Sequence, residues 1–491
     1  MARPVTASRL RLGIPNIKGV FFMTTRTSAA GSTESAPADS PAVRKMRPRH
    51  LVFMSLGSAI GTGLFVGSGA GIQAAGPAVL LSFLIAGTMV ILVMRMMGEM
   101  AAADPSSGAF SVYAEKALGR PAGTTIGWLW WLQLVIVIAA EATAAAAIVA
   151  SMWPGSQQWL LALVFMSLFT AINLGGAASF GEFEYWFALL KVLAIVAFLA
   201  IGIAFIAGWL PNVPAPGLSN LTGNGGFMPH GWSGVGAGLL LVVFAFGGTE
   251  IVAVAAADTE NPETNIAKAI SSVVWRILVL FIGSVLVIVT ILPWDSEALS
   301  TGPFVAALAA ARVPGADVVM AVVIVVALLS ALNANLYGAS RMVFSLAERG
   351  RAPKALGRKS ANGVPRAAVA ASVAFGFLTV VLNYLYPERV LMLLLNLVGS
   401  TCLVVWGVSI VSQIILRRRA EADGRELTFK MWAFPWLSYF ALMLLAGIVV
   451  LGFLDPAVRI QLLATLALTC GLGFAAWLLD RNATKSGRQL L

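Results

Sequence analysis

Charge is scarce in this sequence. Only 11% of its 491 residues are charged against 59% hydrophobic, which excludes a soluble globular chain. The two cysteines, Cys402 and Cys470, both lie inside apolar runs, so neither a disulfide framework nor a metal site can be built from them. His50 and His230 are the only histidines and neither is mid-run, which excludes a histidine proton relay through a membrane. No Walker loop, paired catalytic carboxylates or nucleophile elbow is present. Nucleotide hydrolysis, enzymatic chemistry, a metal and a cofactor are therefore not expected. The strict polar–apolar alternation of a membrane β-barrel is missing as well.

What the chain does have is a succession of continuous apolar runs of about 20 residues, the length that crosses hydrocarbon as a helix. The expected fold is an all-α polytopic membrane protein. Twelve spans are predicted at 49–70, 77–98, 125–151, 158–175, 185–209, 234–257, 271–292, 317–345, 366–385, 389–415, 433–454 and 457–479. Residues 1–47, rich in Ser, Ala, Pro and Arg, read as a disordered tail. A permease-like membrane domain then occupies 48–480, and 481–491 form a second tail. Under this topology all Lys and Arg residues except Arg312, Arg389, Arg459 and Lys191 fall on one side. That asymmetry places both termini in the cytoplasm and the protein in the plasma (inner) membrane. The net charge of +11 thus orients the chain and meets anionic lipid heads rather than nucleic acid.

Two of the runs carry glycine clusters that oppose a continuous helix. In Gly57-Ser58-Ala59-Ile60-Gly61-Thr62-Gly63-Leu64-Phe65 each glycine weakens the helix by roughly 1 kcal/mol relative to alanine. Unwound backbone is tolerated in hydrocarbon only where it lines a cavity or meets a ligand, and the freed N–H groups form an anion site backed by a half-helix dipole. Phe244-Ala245-Phe246-Gly247-Gly248-Thr249-Glu250 in span six is a second such cluster, entering from the opposite face. Interrupted helices at matching positions of two halves predict inverted repeats, 49–209 and 234–415, with 433–479 outside them. A glycine-rich face for helix packing is the alternative reading of either cluster.

Buried charge is the next signal. Lys191 lies in an apolar stretch of span five, where a lysine costs about 2.5–3.5 kcal/mol on insertion scales. It reads as a fixed or titratable charge facing the bundle, or as a side chain that snorkels to the interface. Glu141 is the single charge between Ile126 and Ser151 and reads either as a proton-loading group or as a structural hydrogen-bond partner. Glu250 directly follows the second cluster, as a proton-loading group or as a cap of the half-helix. Asn333, Asn335 and Tyr337 in span eight, with Asn396 and Ser400 in span ten, read first as glue between helices. Asp258–Glu263 reads as a turn leading to a short helix, Thr264–Ala269.

Several stretches in order resemble the amino acid–polyamine–organocation superfamily, and within it the bacterial amino acid transporter branch. They are Gly57–Phe65, Gly98-Glu99-Met100 with Pro105-Ser106-Ser107-Gly108, Glu141, Glu184–Lys191, Phe244–Glu250 with Glu260-Asn261-Pro262, and Ser340-Arg341-Met342 running on to Ala352-Pro353. The resemblance implies two inverted five-helix repeats plus two helices, working by alternating access. It implies that the N–H groups of Gly61, Thr62 and Gly63 hold a substrate carboxylate. Carbonyls near Ala59, Phe244 and Gly247 would then hold the amino group, with the Phe244 ring closing over substrate. Lys191 matches a lysine standing where relatives bind sodium, and Glu250 an acidic position linked to proton coupling. The Gly-Trp-Leu-Trp-Trp stretch together with Glu141 is similar to permeases for γ-aminobutyrate and other neutral amino acids. Gln133-Leu134 and Asn335-Leu336 depart from the family pattern. The expected function is proton-coupled import of a zwitterionic amino acid. An exchanger or uniporter of the same fold, and a membrane amino acid sensor, remain as alternatives.

Overall fold

The computed structural model describes residues 57–106, 108–175, 180–211, 213–250, 262–360 and 363–485. The predicted tail 1–47, the start of span one, the second half of span six and the end of the chain lie outside the described residues. Among the described residues all regular structure is helical, as hydrocarbon demands of a chain that must satisfy its own backbone hydrogen bonds.

A π-helical turn at Gly63–Gly67 opens the first run and continues as α1, Ser68–Ala75. Gly76, with φ at 65°, and Pro77 then turn the chain into α2, Val79–Ala103. There follow α3 (Ala109–Leu118), α4 (Arg120–Met152), α5 (Gln158–Gly175), α6 (Phe180–Ile206) and α7 (Gly231–Ala245). After these come α8 (Pro262–Ile291), α9 (Pro303–Ala310), α10 (Ala316–Glu348), α11 (Arg366–Leu385), α12 (Pro387–Ala422), α13 (Trp436–Phe453) and α14 (Pro456–Lys485). Nine helical stretches among the described residues are long and apolar enough to cross a membrane, the first being Gly63–Ala103 taken as one. Gly231–Ala245 and Trp275–Ile291 are shorter apolar segments.

Three details differ from the sequence reading. The predicted helix Thr264–Ala269 is the first part of α8 rather than a separate piece. The loop expected between spans seven and eight contains α9, whose Phe304 meets the ring of Phe65 edge-on at 5.0 Å. Its Pro303 at the first helical position is the signal that marks it. The last helix runs to Lys485, so helical winding extends into the stretch predicted as tail.

Helix α4 is the pillar of the bundle. It packs against α3, α5, α10, α11, α12 and α14, and is buried around most of its circumference. That is why its apolar residues show no one-sided stripe. Helices α5 and α14, mostly exposed, present apolar side chains outward, as a lipid-facing layer must. At the arginine-rich end, Glu115 of α3 accepts hydrogen bonds from Arg349 (2.6 Å) and Arg351 (2.8 Å), tying α3 to the end of α10. Burial pulls the Arg349 guanidinium below its ordinary value, and the Glu115 carboxylate opposes that. Nearby, Glu99 of α2 accepts from Gln413, from Arg417 and from the Met431 N–H. A cavity of about 500 Å³ opens at this end, lined by Glu99, Tyr113, Lys116, Arg417 and Arg419 among others, well away from the glycine clusters.

Close backbone approach decides which helix glycines matter. A methyl on Gly399 of α12 would overlap the Leu240 carbonyl of α7, whereas Gly447 of α13 has open space around it. We expect Gly399→Ala to lose about 1–3 kcal/mol through overpacking. Gly447→Ala should be neutral or slightly stabilising. Melting curves of the two purified variants in one detergent check this, with a lower midpoint for Gly399→Ala alone.

Candidate functional site

The helix of the first cluster is interrupted. Residues 57–59 are helical, Ile60 and Gly61 bend away, and winding resumes as a π-turn, with the N–H groups of Leu64 and Phe65 both reaching the Gly61 carbonyl at 3.1 Å. The second cluster is interrupted as well: α7 ends at Ala245 and 246–250 form turns. There the Gly247 N–H donates to the Phe244 carbonyl at 2.9 Å, and Gly248 has φ at 97°. The two breaks interlock. The Ser58 hydroxyl donates to the Gly248 carbonyl at 2.8 Å, and a methyl on Gly63 would overlap the Ala245 backbone. Only glycine permits that approach, which explains Gly63 without appeal to flexibility.

Side chains from three other helices fill the first break. Both carboxylate oxygens of Glu141, from α4, accept from the Thr62 N–H at 3.0 and 3.1 Å, and the Thr62 hydroxyl donates to the same carboxylate at 2.6 Å. Gly61 is the position that admits this carboxylate, since any Cβ there would overlap Glu141 Oε1. Lys191 of α6 is 1% exposed, so it does not snorkel, and its Nζ donates to the Gly57 carbonyl at 2.5 Å. It interacts electrostatically with Glu184 first and Glu141 second. Glu184 accepts the Ser330 hydroxyl of α10 at 2.9 Å on both oxygens. The site is therefore a buried cluster of two carboxylates and one ammonium around an opened main chain.

Sequence reasoning gave Glu184 no role of its own. The signal was there: Glu184 and Lys191 are seven residues apart, two helical turns, and so share one face of α6. Of the residues expected to hold substrate, Ala59, Gly61, Thr62 and Gly63 lie together at the first break, all buried, and the Thr62 N–H is taken by Glu141. Phe244 packs with Ile136 and Ala140 of α4 and Leu394 and Val398 of α12, and its ring edge lies against Gly67.

Glu250 belongs to a second constellation. Its carboxylate accepts from the Gly248 N–H at 2.8 Å, from the Trp406 indole N–H at 2.9 Å and from the Cys402 thiol at 3.8 Å. It thus holds the second turn closed, the capping role anticipated as one of its two readings. Cys402 in turn accepts from the Gln133 amide at 3.8 Å. The two positions that depart from the family pattern, Gln133 and Asn335, are both buried. Each has a side-chain oxygen with no hydrogen-bond partner among the described residues. Asn333 and Ser400 bridge helices, to Asn173 and Thr465 respectively. The side chain of Asn396 lies outside the described residues. No group of metal-ligating side chains occurs among the described residues.

Glu184 interacts electrostatically with the buried Lys191, and taking one charge out of a buried opposite-sign set costs about 3–5 kcal/mol because the other is stranded. Glu184→Ala should therefore sharply reduce the folded yield, while Glu115→Ala, whose side chain is 22% exposed near the end of α3, should cost less. Gel filtration of the two variants, expressed side by side, checks the contrast.

Comparison with known proteins agrees with this architecture. The amino acid permease family model matches residues 50–486. The chain is 50% identical over 420 residues to the aromatic amino acid transport protein AroP of Corynebacterium glutamicum, covering 85% of this chain and 90% of the relative. It is 45% identical over 441 residues to the γ-aminobutyric acid permease of Bacillus subtilis, covering 89% and 94%. The γ-aminobutyric acid permease of Escherichia coli is 41% identical over 428 residues, covering 87% and 92%. An opened main chain ringed by buried charge, in a helical chain that matches this model almost from end to end, belongs to the amino acid permease family of the amino acid–polyamine–organocation superfamily: a transporter, not an enzyme.

Proposed function

We propose that this permease imports a zwitterionic amino acid together with a proton, with γ-aminobutyrate or another neutral amino acid as substrate. One observation carries the reading: the main-chain N–H of Thr62 is bonded to a carboxylate, and that carboxylate comes from the protein itself. A substrate carboxylate takes the same place, with Gly61 and Gly63 beside it. Glu141 then moves aside. Carbonyls of Ala59, Phe244 and Gly247 meet the substrate ammonium, and the Phe244 ring closes over it.

Charge balance brings in the proton. Ionised Glu141 and Glu184 outnumber Lys191 by one negative charge, and an entering carboxylate adds another. Like charges a few ångströms apart repel strongly in a low-dielectric interior. Protonation of the displaced Glu141 relieves this, so substrate and proton enter together. Glu250 is a second candidate for loading, at the other break. Because each ligand favours the state that holds it better, the pair shifts the equilibrium between outward-open and inward-open forms. The architecture that goes with the reading has twelve crossings, with 49–209 and 234–415 as inverted repeats, and both termini in the cytoplasm at the plasma membrane.

The names of the relatives favour two substrate classes. Those called γ-aminobutyric acid permeases support an ω-amino acid, and the 50% identical aromatic amino acid transport protein supports an aromatic one. Purified protein in liposomes, given γ-aminobutyrate, phenylalanine, tryptophan or proline with the interior made alkaline, separates them. Accumulation of one class that vanishes when the gradient is collapsed is the expected result. Lys191→Ala should lose pH-driven accumulation at least about tenfold, since the charge balance of the cluster is gone. Undiminished accumulation in that variant, at normal folded yield, removes Lys191 from coupling. Counterflow without net accumulation in the native protein selects an exchanger instead.

A further inference from the structure

The chain Gln133–Cys402–Glu250 joins three helical segments through side chains that the substrate clamp does not use. Gln133 is on α4, Cys402 on α12, and Glu250 in the turn after α7, and all three are buried. Among the described residues the partners of the Glu250 carboxylate are donors: its own N–H, the Gly248 N–H, the Trp406 N–H and the Cys402 S–H. That set suits the ionised form. A protonated Glu250 carries an O–H and needs an acceptor, and among the described residues the Cys402 sulfur is within reach.

Sulfur takes that role more readily if its own hydrogen turns elsewhere. Gln133 provides the place. Its amide nitrogen donates to the sulfur at 3.8 Å, while its oxygen, in a side chain 2% exposed, has no partner among the described residues. A buried oxygen left without a partner is unfavourable. A half-turn of the amide exchanges nitrogen and oxygen at almost no change in shape. The amide oxygen then accepts the S–H, and the sulfur accepts the Glu250 O–H.

We infer that Gln133 and Cys402 form a hydrogen-bond chain to Glu250 whose direction reverses when Glu250 takes up a proton. Both are positioning residues for the coupling step. The balance is simple: one proton adds to Glu250 from water, no proton leaves the thiol or the amide, and only hydrogen bonds reorient. Among the described residues the surroundings leave the role to these groups. Of the elements packed on α7, α1 and α13 carry no charged residue, and on α2 Arg95 is bonded to the Lys430 carbonyl while Glu99 is paired with Arg417 of α12. Glu388 and Arg389 stand at one end of α12 and Arg418, Arg419 and Glu421 at the other, away from Cys402 in the sequence of that helix. Glu141 of α4 is bonded to Thr62.

The inference rests on the proton-coupled reading with Glu250 as a loading group, and its test separates the two. The pH of half-maximal uptake is measured in liposomes for the native protein, Cys402→Ala, Cys402→Ser, Gln133→Leu and Glu250→Gln. This midpoint does not depend on how much protein folds. Gln133→Leu leaves the S–H free to donate to the ionised carboxylate but takes away the oxygen that accepts it once Glu250 is protonated. Its midpoint should therefore move about one pH unit to more acid values, the equivalent of one hydrogen bond. Cys402→Ala costs the ionised form its thiol donor as well as the protonated form its acceptor, so its midpoint should not show that acid shift. Cys402→Ser, whose hydroxyl both donates and accepts, should keep the native midpoint. A native midpoint in Gln133→Leu, or an acid shift in Cys402→Ala as large as that expected of Gln133→Leu, overturns the inference and leaves symport standing. A native protein without pH response, or a Glu250→Gln variant that keeps it, overturns the reading beneath.

Discussion

The grip of Glu141 on the Thr62 main chain is the constraint on which the rest of the structure turns. Opening a helix inside hydrocarbon exposes backbone groups, each costing several kcal/mol unless something replaces the lost partner. Here the replacements are side chains sent in from neighbours: Glu141 for the Thr62 N–H and Lys191 for the Gly57 carbonyl. Each brings its own burial cost, and Glu184 with Ser330 settles the lysine in turn. Thus α4, α6 and α10 are committed to the break before any ligand arrives. Small residues follow from the same need. Gly57 makes room for Glu184, Gly61 for Glu141, and Ala331 of α10 stands where the carboxylate and the break meet.

Much of this was legible in the residues alone. Apolar runs located the helices, because length and hydropathy are sufficient to say what can cross a bilayer. The two glycine clusters located both breaks, since glycine is the costliest common residue for a helix to keep. Lys191, Glu141 and Glu250 stood out by being charged where charge is expensive. What escaped was pairing across helices. Nothing near Thr62 in the sequence announces that its N–H is occupied by a residue from α4. Glu184 sat at the edge of an apolar stretch and looked like a boundary rather than a partner. The helix α9 was hidden in a segment whose prolines and glycines read as loop. In each case the missing information was spatial proximity, which one-dimensional periodicity does not carry.

The molecule keeps two buried acidic centres of different character. Around Glu141 and Glu184 the Lys191 side chain lies within the cluster, so the acids answer to a basic group. Around Glu250 the partners among the described residues are dipoles, N–H groups and a thiol. The first centre holds the break in span one, and the second holds the turn in span six. Ser58 and Gly248 bond the two breaks directly, so a change of shape at either is felt by the other through a single hydroxyl.

The bond from Lys191 to the Gly57 carbonyl has an environmental consequence. A carbonyl that faces a freely exchanging metal ion is only as well supported as the surrounding medium is salty. Here the cation is covalently tethered to α6, and dilution cannot wash it out. The partner of that carbonyl is therefore held in place by the helix that carries it rather than drawn from solution.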